Sequence, residues 1–169
     1  MSEYSREEVE QAFEHLWQVG PVGEDWEAQV GLYTDDCVYF DHHYGTMDPE
    51  QFGTWCNQLM NEQFPELYTA YEWHKIDGDE VVVLMQNRRD NPDPSGPPYL
   101  DFPSISVYRY GGNGQFSSER DYWDMSQAVA VGRAYKEACQ RHDPDHPSRR
   151  SRLHWPESPD WAHPPPTDS

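Results

Sequence analysis

Arg88, Asp90 and Asp121, with Tyr39 and Asp41, are the residues whose types and spacing could do chemistry. Residues two apart on an extended strand point the same way. Over Glu80 to Asp90, the residues Val82, Leu84, Gln86, Arg88 and Asp90 share one face. Tyr39 and Asp41 share another, and Glu119, Asp121 and Trp123 a third. If these faces look into one cavity, Arg88, Asp90 and Asp121 converge, with Tyr39 and Asp41 at its mouth. Two carboxylates bridged by one arginine can hold a single proton, because like charges in a dry site cannot both ionise cheaply. That is an acid–base pair, and Arg88 would keep it in register through forked hydrogen bonds. Asp41, a third carboxylate, either raises its neighbours' affinity for protons or serves as the base itself.

Other chemistries have weaker support. His42 and His43 are adjacent, so in extended chain they face opposite ways, although one of them could enter the cavity beside Asp41. His142 and His146 flank two Asp and a Pro. No Cys or carboxylate stands at a zinc-like spacing from them, so no metal is expected. Gly111-Gly-Asn-Gly114 lacks the following helix and lysine of a phosphate loop. No cofactor is expected. Cys37, Cys56 and Cys139 are an odd number without a C-x-x-C spacing. They read as reduced thiols in a cytoplasmic protein.

The elements that must position the candidate groups follow from periodicity. Ser5 and Glu8 form a capping-box pattern ahead of Val9, Ala12, Phe13, Leu16 and Trp17, a helical stripe that Gly20-Pro21-Val22-Gly23 should end. A short helix from about Asp25 carries Trp26, Val30 and Tyr33 on one side. Cys37 to Phe40 reads as a strand. Asp48-Pro49 starts a third helix with Phe52, Trp55, Cys56, Leu59 and Met60 facing inward. The period then changes to two. Strands are expected over 67–76, 80–90, 99–110 and 115–123, joined by hairpins, with a closing helix over about 126–140. Helices early and antiparallel strands late give an α+β layout. Three helices on a strongly curved sheet would enclose a cone-shaped pocket.

Composition bounds the partners. The chain has 169 residues, enough for one domain, and a formal net charge of −19. A surface that negative repels nucleic acid and anionic lipid headgroups. The longest apolar run, Val81 to Met85, is far short of the roughly 20 residues that span a bilayer. The polar, acidic N-terminus has no signal-peptide pattern. Seven Trp, eleven Tyr and six Phe supply an aromatic core. The domain is placed at residues 1–142. Residues 143–169 hold seven of the fifteen prolines and no apolar periodicity. They are expected to form a disordered or loosely docked tail, with Trp155 and Trp161 as candidate anchors on the domain or a partner.

The element order, with Trp26 to Phe40 and Glu119 to Met125, resembles the nuclear transport factor 2-like (SnoaL-like, cystatin-like) superfamily. Asp25-Trp-Glu-Ala-Gln-Val-Gly-Leu-Tyr-Thr-Asp-Asp-Cys-Val-Tyr looks like its helix leading into the first strand. Gly45 before Pro49-Glu-Gln-Phe and Asp121-Tyr-Trp-Asp124 are similar to two further signatures. The resemblance covers about residues 5–140. It implies a cone-shaped, curved, mixed or antiparallel sheet with three packed helices, and a homodimer. Within it, Arg88-Arg89-Asp90, Asp121 and Tyr39-Phe40-Asp41 resemble the site of limonene-1,2-epoxide hydrolases, with Asp41 where that family has Asn. That resemblance implies epoxide opening by water or cyclisation, with Asp121 as base, Asp90 as acid, and Tyr39 with residue 41 positioning the water. The ketosteroid isomerase-like and polyketide cyclase or dehydratase relatives imply instead proton abstraction beside a carbonyl by Asp41 or Asp121. Tyr39, Tyr108 and His74 are then the candidate oxyanion donors. The substrate expected is small and mostly apolar. A non-catalytic ligand-binding module is the further alternative on this fold.

Overall fold

The computed structural model describes residues 3–145; most of the proposed tail, with Trp155 and Trp161, lies outside them. Helix α1 (Arg6–Trp17) starts where the Ser5 side chain accepts the Glu8 N–H at 3.2 Å. The Glu8 carboxylate accepts the Tyr110 hydroxyl at 2.8 Å, which ties the helix start to the sheet. Val9, Phe13, Leu16 and Trp17 are fully buried, as their spacing predicts. Gly20-Pro21 does not stop the helix at once. A wider, π-type turn runs over Gln18–Val22. Pro21 offers no N–H and crowds the carbonyl one turn back, and widening the turn relieves both problems.

Helix α2 (Trp26–Val30) is capped by Asp25, and α3 (Pro49–Cys56) by a reciprocal Asp48–Gln51 box. A second wide-turned stretch, Asn57–Gln63, extends α3. The two helices close up over Gly53. A Cβ there would lie 2.6 Å from Val30 Cγ2 and 3.0 Å from the Trp26 carbonyl, so only glycine fits.

The strands are β1 (Tyr33–Asp41), β2 (Gly45–Met47), β3 (Tyr68–Asp77), β4 (Glu80–Asp90), β5 (Tyr99–Gly112) and β6 (Gln115–Trp123). They form one sheet in the order β2-β1-β6-β5-β4-β3. Only β1 and β6 run parallel; the other neighbours are antiparallel. Two details depart from the sequence expectation. β1 begins at Tyr33, which is strand rather than helix, and Gly45 opens a short β2 that periodicity does not reveal. Three residues are too few to show a period.

Register decides which side chains face the helices. On β5 the inward set is Phe102, Ser104, Ser106, Tyr108 and Tyr110. Arg109 pairs with Ser118 but Tyr110 with Phe116, so Ser117 is an extra residue. This bulge flips the strand's parity and lets Phe116 and Glu119 both point inward. The core is aromatic: Phe13 stacks near Trp17 and Tyr108, and Phe116 lies between Tyr108 and Tyr110. Helix α4 (Met125–His142), capped by Asp124, lies over the open end, with Met125, Ala128, Val129 and Gly132 facing the enclosed space. No helix among the described residues is long and apolar enough to cross a membrane.

Candidate active site

The sheet and helices enclose a cavity of about 370 Å³, within the usual range for a small-molecule pocket. Its wall is mostly apolar, with Phe52, Trp55, Leu59, Met60, Met85 and Phe102 prominent. Polar groups enter from β1, β4, β5 and β6.

Asp121 is the centre of one polar end. The β1–β6 pairing sets Asp41 beside Asp121 and Tyr39 beside Glu119. The β5–β6 pairing sets Ser106 beside Asp121 and Tyr108 beside Glu119. The Tyr39 hydroxyl donates to Asp121 Oδ2 at 2.7 Å, and the Ser106 hydroxyl donates to Oδ1. Asp121 is half-buried and opens to the cavity, while protein surrounds its other sides. Desolvation pushes its carboxyl up to about 6, although the two hydroxyl donors pull against this.

Behind it lies Glu119, which sequence reasoning placed on the same face but did not select. Its carboxyl is buried and in hydrogen-bond contact with Asp121, Tyr33 and Tyr108. Gln29 Nε2 donates to the Tyr33 hydroxyl at 2.9 Å and extends the network. Burial, and then the neighbouring Asp121 charge, raise the Glu119 carboxyl well above the usual range. Glu119 is therefore the neutral member and donates to Asp121. Burial likewise raises the hydroxyls of Tyr33, Tyr39 and Tyr108, which stay protonated. The result is an ionisable carboxylate facing the cavity, backed by a carboxylic acid and three phenols.

Asp41 is committed elsewhere. It is 1 % exposed. Its Oδ1 accepts the His43 and Tyr44 N–H groups at 2.7 and 3.0 Å, which closes the β1–β2 turn. Its Oδ2 accepts the Trp123 indole N–H at 2.8 Å. Three donors fill three of the carboxylate's roughly four acceptor positions, although Asp41 also lines the cavity.

The structure does not bring Arg88 or Asp90 to Asp121. Both lie on the opposite face of β4. Arg88 Nε donates to Asp101 at 2.8 Å and its guanidinium sits 4.3 Å over the Tyr99 ring. Asp90 accepts the Tyr68 hydroxyl at 2.6 Å. The inward residues of β4 are Val81, Val83, Met85, Asn87 and Arg89. The sequence misled because Val81-Val-Val-Leu-Met85 is apolar on both faces, so alternation cannot choose between them. Pairing with β5 chooses: Val83 lies opposite Ser106 and Met85 opposite Ser104.

The histidine expectation also changes. His42 and His43 sit in the β1–β2 turn, not in extended chain. Their rings lie 3.7 Å apart on the same exposed rim, and neither lines the cavity. His74 does not line it either; it packs on Phe13 and bonds Tyr71. Of the three suggested oxyanion donors, Tyr39 and Tyr108 are in the wall. Among the described residues no cluster of three or more His, Cys, Asp or Glu could hold a metal. One overlooked signal was the alternation Phe102-x-Ser104-x-Ser106-x-Tyr108. Small hydroxyls at inward positions of an aromatic strand mark a polar lining.

No family model and no curated protein matches the chain. Solved structures do. A putative SnoaL-like polyketide cyclase from Jannaschia sp. CCS1 superposes with a TM-score of 0.58 at 21 % identity, over 80 % of this chain and 97 % of that one. A hypothetical protein with a ketosteroid isomerase-like fold from Catenulispora acidiphila, solved with trimethylamine, gives 0.55 at 21 %, over 73 % and 90 %. An LEH-like epoxide hydrolase from M. tuberculosis gives 0.53 at 16 %, over 79 % and 92 %. The fold is thus the nuclear transport factor 2-like cone, as the sequence resemblance implied.

Proposed function

We propose that this protein is an acid–base enzyme that removes or relocates a proton beside a carbonyl of a small, mostly apolar molecule. Asp121 is the base. One observation carries the reading: the Asp121 carboxylate opens into an apolar cavity, held by Tyr39 and Ser106 and backed by neutral Glu119. A group that ionises near 6 is charged at neutral pH yet still takes a proton readily. When Asp121 takes the substrate proton, Glu119 and the tyrosines give it a hydrogen-bonded network through which that proton can be redistributed. The coexisting SnoaL-like and ketosteroid isomerase-like likenesses are consistent with this class of step.

Epoxide opening by an Asp–Arg–Asp set is the less supported alternative, since Arg88 and Asp90 stand outside the cavity. A panel of enolisable aryl and cyclic ketones, run beside matched epoxides, tests the choice. The expected result is deuterium exchange or isomerisation of ketones, lost in Asp121→Asn. Epoxide hydrolysis without any ketone exchange would reverse the assignment.

The same reading includes a homodimer. Val38, Ile105, Trp73 and Tyr122 are all more than a third exposed on strands, and strands that present apolar side chains to solvent favour a partner. Sedimentation as a monomer at micromolar concentration would remove this element. The three free, buried cysteines fit a reducing, cytoplasmic setting, and the charge of −19 disfavours nucleic acid and membrane partners.

A further inference from the structure

The cavity has a second polar end, built around Arg89. This residue is 5 % exposed yet lines the cavity. Its Nε donates to Glu66 Oε1 at 2.9 Å. The guanidinium is also 5.4 Å from the centre of the Phe64 ring and 5.5 Å from that of Tyr135 on α4. Two segments, α4 and the connection before β3, therefore fix its position. The Nη edge of the fork makes no hydrogen bond among the described residues. Next to it on the same face are Asn87, which donates to Ser104 Oγ at 3.1 Å, and Thr69, its partner across the β3–β4 ladder.

This end lies far from Asp121. Asp121 pairs with Ser106, Ser106 with Val83, and Arg89 stands six residues beyond Val83 on β4. That is roughly 20 Å of strand contour, shortened in space by the sheet's curvature. The cavity is thus electrically polarised. Asp41, Glu119 and Asp121 gather at one end, and the sole arginine or lysine among the described residues of its wall, paired with Glu66, sits at the other. An anionic group entering this space is repelled from Asp121 and Asp41 and attracted to Arg89. Guanidinium forks match planar carboxylates in geometry as well as charge.

We infer that Arg89, with Asn87 and Thr69, forms a subsite for the carboxylate of an apolar, ring-containing acid. Binding there leaves the far end of the molecule directed at Asp121. This deepens the proposed function by naming a substrate class, and it rests on the cavity being that enzyme's site. Glu66 already balances the charge of Arg89, which sets the selectivity rather than cancelling it. The pair holds the fork in place, and only an oxygen acceptor of the right shape can use its free edge.

Two probes of near-equal shape test this: 2-naphthoate and neutral 2-acetylnaphthalene, titrated by calorimetry in 0.15 M salt. At that ionic strength the chain's general negative field is screened beyond about 8 Å. Naphthoate should bind at least tenfold tighter than the ketone. Arg89→Gln should remove that preference, and Glu66→Gln should strengthen naphthoate binding severalfold. Breaking a buried pair can unfold a protein, so the double variant Arg89→Met/Glu66→Leu is the second arm. Replacing both members by apolar groups is often tolerated. Its thermal melt should stay cooperative while naphthoate loses at least tenfold and acetylnaphthalene changes less than threefold. Equal affinity for the two probes in the native protein, or an undiminished preference in the folded double variant, would overturn the subsite. No binding of either probe would overturn it too. Because only affinity is read, ketone exchange and its loss in Asp121→Asn judge the Asp121 assignment separately.

Discussion

Replacing Asp121 by Asn should abolish activity and make the protein more stable. The carboxyl moves from an ordinary 3.8 to about 6 on folding. The folded chain therefore holds more protons than the unfolded one between about pH 4 and 6. Stability from this group is full below that window and is lost as pH rises through it. The complete shift makes the ionised form about 3 kcal/mol less favourable in the folded state, of which about 1.4 kcal/mol develops between pH 5 and pH 8. Water in the open cavity trims the total, so a gain of about 1–3 kcal/mol is expected for Asn at pH 8. That corresponds to a rise in Tm of roughly 3–10 °C. Asn keeps the shape and can still accept from one of the two hydroxyls. The assay is urea unfolding of both proteins at pH 5 and pH 8, away from the pI near 4.5, with ketone exchange measured in parallel. The advantage of Asn should shrink by about 1 kcal/mol at pH 5. Exchange should fall by about a hundredfold or more, the loss typical of a removed general base. Equal destabilisation at both pH values would show that Asp121 is a structural acceptor and would refute the reasoning.

Four further outcomes follow from the same network. The free-enzyme kcat/KM for ketone exchange should rise with pH and level off above about 6, because the base must be ionised; a profile flat from pH 5 to 8 would count against Asp121. Glu119→Gln copies a neutral acid that donates a hydrogen bond, so it should fold and retain activity within a fewfold, whereas Glu119→Ala should lose at least tenfold; severe loss in Gln would mean that Glu119 works ionised. Asp41→Asn removes one charged acceptor from the β1–β2 turn and should cost about 1–3 kcal/mol in urea unfolding with less than a tenfold change in turnover; a stable but inactive variant would make Asp41 the base after all. Arg88→Ala and Asp90→Asn should each leave turnover within a fewfold, and inactivity in a well-folded variant would return these two residues to the reaction.

Much of the fold was legible because it is written in strong local signals. The α1 stripe, the Asp48-Pro49 start of α3, and the hairpins joining 67–76 to 80–90 and 99–110 to 115–123 all stand where periodicity and caps placed them. The candidate site was legible only in part. Tyr39, Asp41 and Asp121 come together because Tyr39 and Asp41 are two apart on β1 and the parallel β1–β6 register sets Asp41 beside Asp121. Arg88 and Asp90 do not, because β4 carries five apolar residues in a row and its orientation depends on a partner strand. A choice one residue out exchanges every side chain of the strand, which sends Arg88 outward and brings Arg89 in. Glu119 stayed unread for a different reason. Its inward position was visible, but its neutrality depends on full burial and on the neighbouring Asp121 charge, and nothing local announces either.

The arrangement of polar groups also explains why this apolar cone tolerates so many of them. A buried carboxyl without partners is costly, yet Glu119 and Asp121 share donors that come from β1 and β5 as well as each other. Keeping Glu119 protonated removes one charge from this end, and the three donors to Asp41 tie its carboxyl to the turn and to Trp123. Arg89 is compensated by Glu66 before any ligand arrives. Each end is therefore stable when empty, and each retains one unfilled capacity: Asp121 for a proton, the Arg89 fork for a pair of oxygens. A molecule that satisfies both must be apolar between them and acidic at the two extremities in different senses, with a carboxylate at one end and a carbon acid at the other. The opposed polarity of the ends fixes its direction in the cavity before any proton moves.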